Sequence, residues 1–338
     1  MPNGSAAGHE AALDKGGSGV VPDTALRRAL FWIWDKGSAT VGFILLVVYL
    51  SVSTDTFFTA DNLLNVGRQV AAIGVLSIGM TFVIVTRNID LSAGSSIALL
   101  GVLLASLVED YGLSVWIAIP LIMVAGGILY AAMGAIVAYQ RIPSFIVTAA
   151  MLTALRGLAF LYSNRPIFVS DPALRNLGRG FIGPLPIALV IMAVAYVLGH
   201  VLLHHTRFGN HVFAVGDNPE AARLLSIKNE RVVVLAFVLM GLCAALSATI
   251  ITGRLSSGSP NAGSLMELDA IAAVVLGGTS LFGGVGSMSG TLIGVLVMGI
   301  LSNGMNLLGV SSYNQMVVRG FVILVAVWLN HLKMSRAR

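Results

Sequence analysis

Charged residues are scarce in this chain, and cysteine is nearly absent. Only 10% of its 338 residues are Asp, Glu, Lys or Arg, against about a quarter in soluble globular proteins. A chain with so little charge is neither a soluble enzyme nor an intrinsically disordered protein. Its single cysteine, Cys243, excludes an intramolecular disulfide and therefore a disulfide-stabilised scaffold.

Apolar residues and glycine take the place of the missing charge. Apolar residues make up 57% of the chain, and the mean hydropathy is +0.90. The 38 glycines follow no collagen-like period, and small residues of this kind let membrane helices approach one another closely. The composition therefore predicts an all-α polytopic protein embedded in the lipid bilayer.

The hydropathy pattern predicts about ten transmembrane helices, because a bilayer core needs about 20 mainly apolar residues per helix. The predicted spans are 38–54, 66–86, 92–109, 114–138, 142–163, 184–204, 232–254, 269–283, 290–309 and 315–332. The spans 92–109 and 269–283 are short for a full crossing. They are the candidates for broken or re-entrant helices, which need protein or a water-filled cavity to shield the backbone.

The basic residues predict the orientation. With the N-terminus inside, 13 of the 20 Lys and Arg residues fall in inner segments and four in outer loops, which is the positive-inside bias of membrane proteins. The net charge of +5 therefore indicates cytoplasmic loops and not nucleic acid. We expect a disordered cytoplasmic tail at 1–37, a transmembrane domain at 38–332 and a cytoplasmic tail at 333–338.

The long inner loop, 205–231, contains the signals of a helix start. Asn218 suits the N-cap position, Pro219 suits the first helical position, and Glu220 complements the helix dipole. The sequence predicts about two helical turns from there to Ile227. Such a helix is either a surface helix along the membrane or a docking element for a cytoplasmic partner, and composition alone does not decide between them.

Polar residues at membrane depth are costly and are therefore functional candidates. Asp90 and Ser92 lie between the second and third spans, either as helix caps in a tight loop or as a break that faces a pathway. Arg156 lies within the fifth span and needs a carboxylate or several carbonyls, so a structural role and a substrate contact are both open.

Four further polar residues belong to the eighth and ninth spans. Glu267 and Asp269 suit a helix start, where acids complement the dipole, or a gate at the outer mouth. Asn303 and Asn306 lie within the ninth span, where asparagine more often joins helices than binds substrate.

Catalytic motifs are missing from the sequence. The glycine-rich stretch 277–294 has no Gly-Lys pair and therefore is not a Walker A motif. There is no HExxH motif and no paired cysteine, and the spacing of His200 and His204 lacks a third metal ligand nearby. We expect the chain not to be an enzyme by itself and to hold no cofactor or metal.

Five motifs together resemble the permease subunit of bacterial ABC importers for monosaccharides, the ribose, xylose, arabinose and rhamnose type. The resemblance runs in order from about residue 40 to residue 332. The motifs are GMTFVIVTRNIDLSAGS (79–95), RIPSFIVTAAMLTALRGL (141–158), RFGNHVFAVGDNPEAARLLSI (207–227), ELDAIAAVVLGGTSLFGGVGS (267–287) and NGMNLLGV (303–310). This chain departs from the family pattern at Arg87-Asn88, commonly Gly-Gly or Ser-Gly, and at Ala93, commonly Val.

The resemblance implies a set of partners. Two permease copies, most simply a homodimer, would form the pore. A cytoplasmic ABC ATPase, often two domains fused in one chain, would bind ATP and Mg. An extracytoplasmic binding protein would deliver the sugar through the bacterial inner membrane. The family's ATPase-coupling helix maps onto Gly216, Asp217, Asn218, Glu220, Ala221, Ala222, Arg223 and Ile227.

The pathway and the cargo stay open at this stage. The best candidates for pathway or gate residues are Asn88, Asp90, Ser92, Arg156, Glu267, Asp269, Asn303 and Asn306. Related permeases carry nucleosides, branched-chain amino acids or furanosyl signal molecules. A secondary transporter would need embedded acids for ion coupling, in which this chain is poor, and a purely structural subunit would not need the long inner loop.

Overall fold

The structure is a computed structural model that describes the backbone of residues 42–337 and the side chains of residues 42–328. The predicted tail at 1–37 lies outside the described residues. The helices are α1 Gly42–Ser53, α2 Ala60–Val85, α3 Ala93–Glu109, α4 Val115–Tyr139, α5 Ser144–Tyr162, α6 Pro172–Arg179, α7 Ile187–His204, α8 Arg207–Asp217, α9 Pro219–Leu224, α10 Asn229–Leu255, α11 Met266–Leu276, α12 Met288–Leu307 and α13 Ser312–Ala337. The strands are β1 Ile167–Phe168, β2 Phe181–Ile182, β3 Leu185–Pro186 and β4 Ser257–Gly258.

Each predicted span contains a helix. Six of the described helices (α2, α4, α5, α7, α10 and α12) are long and apolar enough to cross a membrane, and α1, α3 and Ser312–Trp328 of α13 are shorter apolar helices. The eighth predicted span is helical only to Leu276, because the glycine-rich residues after it form an irregular turn with positive φ at Gly278, Gly283 and Gly284. The chain is a polytopic all-α membrane protein, and its eighth predicted span is broken after Leu276.

One end of the bundle, here called the loop end, gathers the links 86–92, 140–143, 205–228 and 277–287. The amide of Gly284 donates to the carbonyl of Val85 at 3.0 Å, and Arg87 reaches the carbonyl of Gly216. The Ser144 hydroxyl accepts from the amide of Ile89 at 3.0 Å. These contacts bring links from distant parts of the sequence to the same end.

The opposite end, here called the strand end, gathers the links 54–59, 110–114, 163–186, 256–265 and 308–311. Strand β1 pairs with β4 in antiparallel register, Ile167 opposite Gly258, and β2 pairs with β3 in a hairpin. The carboxylate of Glu109 accepts from the amide of Ser170 at 2.8 Å. Consecutive spans therefore alternate between the two ends, as the predicted topology requires.

The segment 256–265 begins at the strand end, where β4 pairs with β1, but its later residues run into the bundle. Gly258 lies against Gly101, and a Cβ atom on Gly263 would lie 2.6 Å from the carbonyl oxygen of Gly94. The segment therefore runs antiparallel along α3 toward the first turn of that helix, and α11 begins inside the bundle. This segment is here called the re-entrant segment.

Helix α10 forms the centre of the bundle, where it packs against α4, α2 and α3. Glycines allow the closest approach, since a Cβ atom on Gly126 would lie 2.7 Å from the carbonyl oxygen of Gly241. The outer faces of α4, α5 and α7 stay apolar and exposed, as at Trp116, Leu161 and Leu198. An exposed apolar surface on long helices is what lipid tails cover.

Candidate functional site

The helix predicted in the long loop is present at the loop end. Asn218 is the N-cap of α9, and its Oδ1 accepts from the amides of Glu220 and Ala221, each at 3.0 Å. The predicted start is confirmed, but the predicted extent is wrong. The helix ends at Leu224, because Ser226 adopts a positive φ of 63° and turns the chain out of the helix.

Helix α9 and the residue after it expose apolar side chains. Ala222 is buried against the bundle, whereas Leu224 and Leu225 are 88% and 74% exposed. Arg223 pairs with Glu230 at 2.9 Å, with both side chains open to solvent, so the pair contributes little to stability. These two leucines were not identified as candidates in the sequence analysis. They could have been found as an apolar pair in an otherwise polar loop.

The corner between α8 and α9 is tied to the end of α2. Arg87, which has a positive φ of 64°, donates from Nε to the carbonyl of Gly216 at 2.5 Å and from Nη2 to the carbonyl of Asp217. A cation at the C-terminal end of a helix complements the helix dipole. The side-chain amide of Asn88 beside it donates to the carbonyl and the hydroxyl of Thr86.

Asp90 lies at the centre of a buried network behind this corner. Its Oδ1 accepts from the amide and the hydroxyl of Ser92 at 2.8 and 2.6 Å, and its Oδ2 accepts from the hydroxyl of Tyr130 at 2.8 Å. The Ser96 hydroxyl lies 3.0 Å from the same tyrosine hydroxyl. Ser92 occupies the N-cap position of α3 without capping it. The network therefore fixes a non-helical break between α2 and α3.

Arg156 holds the re-entrant segment in place. Its Nη1 donates to the carbonyls of Pro260 and Ala262 at 2.7 and 2.8 Å, which is the carbonyl alternative that the sequence left open. Glu267 follows at the start of α11, where it is 7% exposed and lies beside Gly94. Its Oε2 has no hydrogen-bond partner among the described residues.

Asp269 forms an ion pair that the sequence analysis did not predict. Arg319 of α13 donates from Nη1 to Oδ2 of Asp269 at 3.1 Å, and from Nη2 to the hydroxyl of Ser302 at 3.2 Å. The three residues come from α11, α12 and α13. A cavity of about 340 Å³ lies beside them, between α2, α10 and the re-entrant segment. Arg319 could have been identified from the sequence as a functional candidate, because it is an arginine inside the last predicted span.

A second cavity of about 440 Å³ opens at the strand end and is here called the vestibule. Its lining includes Arg68, Arg179, Arg254 and Asn306. Arg179 donates from Nε to the carbonyl of Arg254 at 2.6 Å, and the guanidinium of Arg68 lies 5.4 Å from the centre of the Phe181 ring. The vestibule is therefore rich in hydrogen-bond donors and positive charge.

The two asparagines of α12 serve different partners. Asn303 exchanges amide hydrogen bonds with Asn62 of α2, as the helix-joining interpretation predicts. Asn306 accepts from the side chain of Gln315 at 2.8 Å and lines the vestibule. The structure therefore brings Asp90, Arg156 and Glu267 toward the first turn of α3, and Asp269 and Asn306 toward the cavities.

The histidines of α7 are close to one another and to an aromatic ring. In the part of the chain that the structure describes, no group of three or more His, Cys, Asp or Glu residues is placed to hold a metal ion. His200 and His204 instead stack with ring centres 4.9 Å apart, and His204 packs on Phe213. The histidines lie at the loop-end terminus of α7.

Known proteins resemble the chain over most of its length. The ribose import permease protein RbsC of Bacillus subtilis is 44% identical over 304 residues, which cover 89% of this chain and 94% of that protein. RbsC of Haemophilus influenzae is 41% identical over 292 residues, covering 85% and 90%. The xylose transport system permease protein XylH of Escherichia coli is 32% identical over 357 residues, covering 87% and 91%. No solved structure matches the chain.

Residues 62–327 match the protein family described as "Branched-chain amino acid transport system / permease component". The match begins in the first turn of α2 and ends in α13, so it includes the α8–α9 corner, the re-entrant segment and both cavities. The chain therefore belongs to this family of transport permeases.

Proposed function

We propose that this chain is the membrane-spanning subunit of an ATP-driven importer for a monosaccharide. The observation that carries the proposal is the 41–44% identity to ribose import permeases over at least 85% of the chain. Ribose is the first cargo to test, and xylose is the second, because the xylose permease is 32% identical. In this role the chain has no catalytic residue of its own.

The loop end faces the cytoplasm in this proposal. It contains Arg87, Arg141, Arg207, Arg223, Lys228 and Arg231, in agreement with the positive-inside rule. Both termini are then cytoplasmic and the strand end faces outward, across the bacterial inner membrane. An ATPase that binds ATP and Mg, either as two domains fused in one chain or as two separate chains, docks on α9 through the exposed Leu224 and Leu225.

The strand end receives the binding protein that delivers the sugar. The vestibule opens there, and its arginines and Asn306 supply donors for hydroxyl oxygens. Two copies of the chain, most simply a homodimer, complete the pore. Binding of the two partners shifts the permease between outward-open and inward-open states only through their different affinities for those states.

The experiment is ATP-dependent uptake into proteoliposomes that contain the permease, its ATPase and its binding protein. We expect uptake of ribose to require all three components. Arg223→Glu and Glu220→Lys should lower uptake without loss of membrane insertion. An ion gradient that drives uptake without the ATPase would instead indicate a secondary transporter.

A second candidate cargo is a branched-chain amino acid, because that is the cargo in the description of the matched family. The cavity beside Asp269 has an apolar wall that includes Val70, Ile73 and Met298. This wall suits an aliphatic side chain. Leucine uptake in the same proteoliposomes separates the two cargoes. Uptake of leucine without uptake of ribose or xylose would show that the cargo is a branched-chain amino acid and not a sugar.

A further inference from the structure

The cavity beside Asp269 extends deep into the bundle and has both polar and apolar lining residues. Its lining includes Gln69 of α2, Ser264 of the re-entrant segment, and Asp269, Ser302 and Arg319. Gln69 is the tenth residue of the 26-residue helix α2, so it lies about 14 Å along that helix from its strand-end terminus. The cavity therefore reaches membrane depth.

The size of the cavity fits a small solute. Its volume of about 340 Å³ lies at the lower end of the range of roughly 300–1,000 Å³ that is typical of small-molecule sites. Apolar side chains such as Val70 and Met298 form part of the wall, and a few polar groups form the rest. This combination is the usual composition of a specific small-molecule site.

The polar groups suit hydroxyls better than ions. The carboxylate of Asp269 and the guanidinium of Arg319 are 3.1 Å apart and neutralise each other. Together they offer a charged acceptor and charged donors, which form the stronger class of hydrogen bond. Nε of Arg319 is buried without a partner in the described part of the chain, so the guanidinium has unused donor capacity.

We propose that this cavity is a transit site for a neutral monosaccharide, in which Asp269, Arg319 and Ser302 bind the sugar hydroxyls. The inference rests on the proposed function and names the residues that contact its cargo. Asp269 accepts from a hydroxyl, Arg319 donates to a hydroxyl oxygen, and Ser302 does either. The apolar wall contacts the C–H face of the sugar ring.

The vestibule lies next to the site. Gln69 and Arg254 line both this cavity and the vestibule, so the two spaces adjoin. In this proposal a solute enters at the strand end and moves from the vestibule past these two side chains to the ion pair. The re-entrant segment forms one wall of this route, with Asn261, Gly263 and Ser264 among the lining residues.

The test uses the single cysteine of the chain. In a Cys243→Ala background, Ser302→Cys places one thiol in the cavity, and Tyr111→Cys places one at an exposed strand-end position outside it. The complete importer in proteoliposomes is treated with a charged, membrane-impermeant methanethiosulfonate. We expect saturating ribose to slow the labelling of Ser302→Cys at least tenfold and to leave Tyr111→Cys unchanged.

Transport kinetics provide a second measurement. Asp269→Asn, Arg319→Gln and Ser302→Ala should each lower kcat/KM for ribose uptake at least fivefold, while ATP hydrolysis stays stimulated by the binding protein. The retained stimulation shows that the variant folds and assembles. Arg319→Lys keeps the positive charge but loses the planar guanidinium group. Its kcat/KM for ribose uptake should lie between those of Arg319→Gln and the wild type.

The outcomes separate the site from the proposed function. Wild-type uptake of ribose with no protection of Ser302→Cys would overturn the transit site and leave the permease function standing. Protection by leucine and not by ribose would overturn the sugar assignment of the site. Absence of ribose and xylose uptake in the wild-type importer would overturn both proposals.

Discussion

Asn62 and Asn303 hydrogen-bond each other twice through their side-chain amides. Nδ2 of Asn62 lies 3.1 Å from Oδ1 of Asn303, and Nδ2 of Asn303 lies 2.8 Å from Oδ1 of Asn62. The pair joins α2 to α12 near the strand end. Because each amide supplies both a donor and an acceptor, neither buries an unmet polar group at this contact.

The two asparagines should be energetically coupled. Asn303→Leu leaves Oδ1 of Asn62 without its donor, although Nδ2 of Asn62 still donates to the carbonyl of Phe57, and we expect a loss of about 1–3 kcal/mol in the free energy of unfolding. The double variant Asn62→Leu/Asn303→Leu should cost less than the sum of the two single variants, with a coupling energy of roughly 0.6–1.7 kcal/mol. Equilibrium unfolding of the purified permease measures all four proteins. Strict additivity of the two single changes would contradict the pairing.

Gly94 should tolerate no larger side chain. A Cβ atom there would overlap the carbonyl of Gly263 and the carboxylate of Glu267, so Gly94→Ala pushes the re-entrant segment away from α3. We expect a destabilisation of about 1–3 kcal/mol, measured as a lower Tm of the purified protein. Gly157→Ala is the matched control, because no atom lies within 4 Å of its added methyl group. An equal Tm for the two variants would show that the close approach is not required.

The cap of α9 should matter for coupling to the ATPase. Asn218→Ala removes the acceptor of two backbone amides, which costs about 1 kcal/mol at a typical N-cap. We expect faster hydrogen exchange over residues 219–225 and weaker stimulation of ATP hydrolysis. Asn218→Ser and Asn218→Asp keep the acceptor and should behave like the wild type. A loss of stimulation in all three variants would point to a direct contact of Asn218 with the ATPase.

Arg87 should transmit motion between α9 and the membrane-spanning helices. Arg87→Ala removes both bonds to the carbonyls of Gly216 and Asp217, and we expect ATP hydrolysis to continue while sugar uptake falls at least several-fold. Arg87→Lys keeps the charge without the two-pronged geometry and should be intermediate. The ratio of sugar transported to ATP hydrolysed is the measurement. An unchanged ratio in Arg87→Ala would remove the residue from the coupling route.

The sequence alone predicts the features that depend on neighbouring residues. The ten helices in the predicted spans arise from local apolar runs, and the Asn218-Pro219 start of α9 is a local capping signal. The partners of the buried polar residues could not be predicted, because they lie far away in the chain. Tyr130 meets Asp90 across 40 residues, and Arg319 meets Asp269 across 50. Hydropathy indicates that such residues need partners, but only the packing selects them.

Helix α2 joins the two ends of the molecule and so acts as a lever. Its 26 residues give a rod about 39 Å long, with Val85 bound to Gly284 at one end and Asn62 bound to Asn303 at the other. A tilt of about 5° about one end displaces the far end of such a rod by about 3 Å. Because Gln69, Val70, Ala72 and Ile73 lie between these ends and line the cavity beside Asp269, even a small rotation of α2 at the loop end would change the aperture of that cavity.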